Sequence, residues 1–202
     1  KLEFLDPAEG EAFDFRVGQF GLYNALGEGE STFCIASAST RKGYIECTFR
    51  QAGRVTKALR RLGVGDIMGF RGPYGNSFPV EAWKGKDLLF IAGGIALPPM
   101  RSVIQYCLDR RADYGDITIV YGARTWSDHV YKDELADWVA RPDVNLWLCI
   151  DWKAGPGGLV VAVLFIILSN FCFGSGENLI AAFLPELADE DSLGKVSGWG
   201  WS

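Results

Sequence analysis

The chain is short of the residues that bind metals and nucleic acids. It has a single histidine, and its five cysteines (Cys34, Cys47, Cys107, Cys149, Cys172) never fall at a C-x-x-C spacing. A zinc or iron–sulfur site built from this chain is therefore not expected, and the cysteines read as buried thiols of a reducing, cytoplasmic compartment. Basic excess is missing too: Lys+Arg number 20 against 25 Asp+Glu, for a formal net charge of −5. No nucleic-acid partner is expected of such a chain. Lys1-Leu-Glu-Phe-Leu-Asp6 offers neither an initiator methionine nor a secretory signal, and the start reads as an N-terminally truncated piece.

What is present falls into three stretches. With 202 residues, 49% of them hydrophobic, the chain can form one large domain or two small ones. Residues 1–82 carry short β-rich segments at Phe13–Val17, Gln19–Tyr23, Thr32–Ala36 and Gly43–Arg50, separated by glycine-bearing turns. This regular spacing predicts a small antiparallel β-barrel or sandwich, of which the barrel is taken as the architecture. One helical pattern interrupts it, with Val55, Leu59 and Leu62 on one face and Gly63 as a stop.

Residues 83–153 change period. Strands are predicted at Leu88–Ala92, Asp116–Gly122 and Val144–Ile150, and helices at Met100–Arg111 and Asp128–Val139. Alternation of strand and helix predicts an α/β domain with a parallel sheet. Residues 154–202 do not continue it: they hold one Lys against five acids, and Ala154–Gly176 passes about 23 residues without a charge. The run from Leu159, through residues 159–176, is dense enough for a membrane helix; a fully buried core segment is the other reading. Gly155-Pro-Gly-Gly marks the change of composition as a junction would.

Two turns carry the chemistry. In Leu88–Met100 an apolar strand ends in Gly93-Gly94 and passes through Ile95, Ala96 and two prolines into a helix. Strand, glycine turn and helix place backbone N–H groups where a phosphate can be held, although such turns are also made for packing alone. In Gly53-Arg54-Val55-Thr56 a glycine and a threonine open the helix of the first stretch. Thr56 there either caps the helix or hydrogen-bonds a phosphate oxygen, and Arg54 either adds charge to such a site or is merely solvated.

The segments Val17-Gly-Gln-Phe, Phe33-Cys-Ile-Ala-Ser, Gly53-Arg-Val-Thr, Arg71-Gly-Pro-Tyr-Gly-Asn, Ile91-Ala-Gly-Gly-Ile and Tyr121-Gly-Ala-Arg follow one another in order. Together they resemble the ferredoxin–NADP⁺ reductase superfamily, in the branch of hydrogenase gamma subunits, anaerobic sulfite reductase B subunits and dihydroorotate dehydrogenase electron-transfer subunits. The resemblance implies a flavin-binding β-barrel followed by an NAD(P)-binding α/β domain, with FAD and NAD(P) as cofactors. It implies hydride transfer from nicotinamide to flavin, then single electrons onward to an iron–sulfur or hydrogenase-like partner. In it Phe33, Cys34, Ile35, Ala36 and Ser37 lie along the flavin, with Ser31 and Phe33 where the family has arginine and tyrosine. Gly53, Arg54, Val55 and Thr56 take the FAD pyrophosphate. Gly93, Gly94, Ile95 and Ala96 meet the nicotinamide nucleotide's phosphates, and Tyr121, Gly122 and Arg124 its ribose or adenine side, with a solvated surface position the other reading of Arg124. No catalytic acid or base is implied, so His129 reads as structural or surface.

Family members continue past a position matching Cys149-Ile-Asp to a Cys-Gly-Pro-like motif, which this chain lacks, so the NAD(P)-binding domain reads as C-terminally truncated. Instead Val161–Ala188 and Val196-Ser-Gly-Trp-Gly-Trp resemble a fragment of a vacuolar-effluxer-like major facilitator transporter. Three readings follow: a reductase module; a membrane protein with a reductase passenger; and a composite of two reading frames joined near Asp151–Gly158. The composite accounts best for the chain's history, and the reductase best for its activity.

Overall fold

The computed structural model describes residues 1–150. These fall into two compact units, Lys1–Tyr121 with Val130–Trp147, and Gly122–His129 with 148–150. The first stretch holds β1 (Leu2–Glu3), α1 (Pro7–Ala12), β2 (Phe20–Ala25), β3 (Gly29–Cys34), β4 (Tyr44–Ile45), α2 (Arg54–Arg61) and β5 (Gly69–Tyr74). β2 is central in an antiparallel sheet ordered β3-β2-β5, and β1 pairs with β4. Alternate residues of β2 turn inward, and Tyr23, Ala25, Phe15, Ile35 and Ile45 form the core with Ala58 and Leu59 of α2. Val55 and Leu62 pack against the same core, as their helical spacing predicts.

Three expectations for this half are corrected. Phe13–Val17 is not a strand, although Phe15 and Val17 are buried. The period-two burial is real, but Arg16 N–H donates to the Gln19 side-chain oxygen at 2.8 Å instead of a neighbouring strand. Gly43–Arg50 is a strand only at Tyr44–Ile45. A second helix, α1, was not anticipated: Asp6 accepts from Ala8 N–H at 2.8 Å and Pro7 opens the helix, the usual start signal.

The later stretch follows the predicted alternation: β6 (Leu88–Gly93), α3 (Leu97–Asp109), β7 (Ile117–Ala123), α4 (Lys132–Ala140) and β8 (Val144–Ile150). Its strands form a parallel sheet ordered β6-β7-β8. Val103, Ile104 and Cys107 of α3 are fully buried, as are Ile119 and Tyr121 of β7. Among the described residues no helix is long and apolar enough to cross a membrane. The membrane helix expected at 159–176, and the helical segment 154–202 around it, lie outside the described residues.

Candidate functional site

Gly53 is the residue before the first turn of α2, with φ −119° and ψ −171°. A Cβ built there meets nothing within 4 Å, so the space in front of the helix is open. Lys57 N–H makes the bond to Gly53 C=O at 2.9 Å. The N–H groups of Arg54, Val55 and Thr56 precede that bond and have no acceptor within the helix, which suits a phosphate. Thr56 Oγ1 accepts from Ala52 N–H at 2.9 Å and Gly53 N–H at 2.8 Å, and donates to Gly53 C=O at 3.0 Å. Of the two roles open to it, Thr56 takes the structural one and bends the chain into the helix. Arg54 Nε donates to Glu28 at 2.8 Å, and its side chain is 74% exposed. That bond, together with the arginine's charge, holds the Glu28 carboxyl below the usual range.

The segment Phe33–Ser37 runs off the end of β3. Phe33 is half-buried, stacked on Phe49 at 5.1 Å between centroids and tilted against Tyr23. Ile35 N–H donates to Gln19 C=O at 3.0 Å, and Ala36 N–H to Glu46 C=O at 2.7 Å. These two amides were expected to follow a flavin ring; they are already hydrogen-bonded within the protein, because pairing with Gln19 and Glu46 continues past the strand. Ser37 Oγ accepts from Glu46 N–H at 3.2 Å, and burial raises the Cys34 thiol pKa.

The second turn is built differently. Gly93 ends β6, and Gly94 has φ +49°, a left-handed conformation that favours glycine. A 3₁₀ turn, Gly94–Ala96, then leads into α3, whose first turn contains Pro98 and Pro99. Neither proline has an N–H, so donors toward an anion come from the turn amides of Gly94, Ile95 and Ala96 rather than from the helix. Tyr121 is fully buried beneath this turn: its hydroxyl donates to Gly94 C=O at 3.0 Å and accepts from Val130 N–H at 3.1 Å. Tyr121 therefore acts on the turn through Gly94, not as an open contact. Gly122 and Arg124 belong to the second unit, where Arg124 is exposed. In that unit His129 is buried and stacked on Trp126 at 5.2 Å, which removes the surface reading of it.

The donor sets of both turns fit a nucleotide phosphate: open backbone amides at Arg54–Thr56, and a left-handed glycine turn pinned from below at Gly93–Ala96. Cavities of about 290 and 620 Å³ are lined by neither Phe33–Ser37 nor Gly93–Ala96. Sequence reading missed Arg101, a buried guanidinium on α3 that reaches Ala36, Glu46 and Glu134. Its one visible signal is the i, i+4, i+8 row of Leu97, Arg101 and Gln105 on a helix packed into the core.

Comparison with known proteins is consistent with this geometry. The family model of the oxidoreductase FAD-binding domain matches residues 1–78, and that of the oxidoreductase NAD-binding domain matches residues 90–177. The chain is 46% identical over 134 residues to sulfhydrogenase 1 subunit gamma of Pyrococcus furiosus, covering 66% of this chain and 46% of that subunit. It is 30% identical over 185 residues to a probable dihydroorotate dehydrogenase B (NAD(+)) electron transfer subunit of the same organism, covering 91% of this chain and 68% of that one. A ferredoxin–NADP⁺ reductase from Plasmodium falciparum shares the fold, with a TM-score of 0.60 at 18% identity over 78% of this chain and 66% of that one. The chain spans about half the length of the sulfhydrogenase gamma subunits it matches.

Proposed function

The chain belongs to the ferredoxin–NADP⁺ reductase superfamily, and on that premise we propose that it is a flavin-dependent reductase module working between NAD(P)H and an iron–sulfur or hydrogenase-type partner. Bound FAD would supply the chemistry, accepting a hydride from the nicotinamide and passing electrons on singly. The amides of Arg54, Val55 and Thr56 would hold its pyrophosphate, with Arg54 adding charge and Thr56 keeping the turn closed. Phe33 and the chain from Cys34 to Ser37 would border the flavin. Gly93, Gly94, Ile95 and Ala96 would hold the phosphates of the nicotinamide nucleotide, with Tyr121 fixing Gly94. Gly122 and Arg124 would serve its ribose or adenine side.

The observation that carries this reading is the pair of phosphate-type turns, one opening α2 and one opening α3, in the order of the two matched domains. The relatives' names, a sulfhydrogenase subunit and an electron transfer subunit, support the choice of partner class. The match of the NAD-binding domain continues to residue 177, across the glycine-rich point at 155–158, and favours one reductase chain over a junction there. Sequencing a single clone across codons 150–160 tests that choice; a break in the reading frame would restore the composite.

The direct test is spectroscopic. The purified chain, supplied with FAD, should carry the yellow absorbance of bound flavin and lose it anaerobically on addition of NADH or NADPH. A folded chain that retains no flavin after exposure to saturating FAD and removal of the free cofactor would remove the reading.

A further inference from the structure

Arg101 lies just over one turn into α3, the helix that Gly93–Gly94 opens, and its side chain is 9% exposed. Its Nη1 donates to Ala36 C=O at 2.9 Å and to Glu46 Oε2 at 2.6 Å, and its Nε donates to Glu134 of α4. The guanidinium carbon stands 4.5 Å from the centre of the Tyr131 ring. Gln105, one turn further along α3, donates to the other oxygen of Glu134 and accepts from Ala38 N–H at 3.2 Å. Tyr131, with φ +57° although it is not glycine, shares a short hydrogen bond with the Thr48 hydroxyl. At the rim Arg41 reaches Asp109 at 3.1 Å, and Thr40 bonds the same carboxylate.

These contacts form one polar seam. On its flavin side are Ala36, Ala38, Glu46 and Thr48; on its nicotinamide side are Arg101, Gln105, Tyr131 and Glu134. A buried arginine between two carboxylates is a weak source of stability, because all three charges lose water; such groups are better explained by the arrangement they specify. A guanidinium can do this where an ammonium cannot, since its planar fork bonds several acceptors in fixed directions. One end of the seam is the carbonyl of Ala36, within the segment assigned to the flavin. The other is the helix that starts at the nicotinamide turn.

We propose that Arg101 is a positioning residue: it fixes Ala36–Ala38 against α3, and so sets how the nicotinamide meets the flavin. The proposal rests on the reductase reading above. It predicts a specific split, because Arg101 belongs to neither phosphate turn. Misplacement of the reacting groups slows transfer while leaving each nucleotide bound.

The test uses the full chain as wild type, R101K, R101Q and Y131F. In R101K and R101Q, FAD and NAD(P)H dissociation constants should stay within twofold of wild type, while the anaerobic rate of flavin reduction falls at least tenfold. Y131F removes the Thr48 bond without stranding a charge, and should fall between them and wild type. Hydrogen exchange at the Ala36 and Ala38 amides should accelerate in R101Q with or without cofactors. If R101Q is insoluble, R101K and Y131F carry the same comparison. Wild-type reduction rates with unchanged exchange at Ala36 and Ala38 would overturn the proposal, as would a loss confined to thermal stability. A wild-type chain that binds FAD but is not reduced by NAD(P)H would instead sink the reductase reading, and this proposal with it.

Discussion

At Gly53 the chain enters α2 through residues that carry amide protons, whereas at Gly93–Gly94 it enters α3 through Pro98 and Pro99, which carry none. The first turn is open: nothing lies within 4 Å of a Cβ placed on Gly53, and Arg54 is exposed beside it. The second is pinned from beneath by Tyr121, with Gly94 in a left-handed conformation. Both are glycine turns before helices, yet they would hold a phosphate by different means. The first relies on unpaired helix amides and nearby charge; the second relies on the shape of a turn held by a buried hydroxyl.

The sharpest way to break the comparison is Gly94→Val. A β-branched side chain at φ +49° costs about 2 kcal/mol in the turn. NAD(P)H affinity, read from quenching of nicotinamide fluorescence, should fall tenfold or more while the FAD content of the protein holds. Unchanged NAD(P)H binding would show that the turn is not the site.

Tyr121→Phe acts on the same turn from below. It deprives Val130 N–H of its acceptor and Gly94 C=O of one of its two donors, the other being Leu97 N–H, and a loss of about 1–2 kcal/mol in urea unfolding is expected. NAD(P)H should weaken severalfold and FAD not at all; equal weakening of both would mean that the two turns are not independent. Thr56→Val is its counterpart at the flavin turn. Losing the hydroxyl that serves Ala52 and Gly53 should cost about 1 kcal/mol, the usual value of a helix-start bond. Here the order reverses: FAD is weakened and NAD(P)H is spared, measured by equilibrium dialysis of each.

How much of this could be read in the sequence depended on how local the cause was. β8 lies at its predicted Val144–Ile150, and the strand–glycine–helix order around Gly93 survives, because both are set by neighbours in the chain. Phe13–Val17 has the alternating burial of a strand without strand pairing, since the Gln19 side chain takes the Arg16 N–H there. Asp6-Pro7 is a helix start written in the sequence, a capping carboxylate before a proline. Arg101 was not legible. Arginine on an amphipathic helix is normally solvated, and its partners Glu134, Glu46 and Ala36 lie 33, 55 and 65 positions away in the chain. Tyr121 is expected from the sequence to face the ribose or adenine side of a nucleotide; only the fold shows that its hydroxyl turns inward to Gly94.

The smallest expected effect concerns Arg54, and it tests whether charge at the open turn matters. Glu28 holds Arg54 at 2.8 Å and Arg61 at 3.4 Å, so an incoming phosphate must compete with a carboxylate for the arginine. Arg54→Ala should leave unfolding unchanged, because the pair is exposed, and should weaken FAD only about two- to threefold, less so as salt is raised. Glu28→Gln should do the opposite and tighten FAD slightly by releasing Arg54. The Arg54 hydrogen bond and charge keep the Glu28 carboxyl below its ordinary range, so wild type should gain the same release only when the pH falls through that depressed value. Near neutrality Glu28→Gln and wild type should therefore differ, and in strong acid they should converge. If Arg54→Ala weakens FAD while Glu28→Gln leaves it untouched at every pH, the carboxylate does not compete for the arginine; if neither substitution changes FAD binding, the open turn binds through its amides alone.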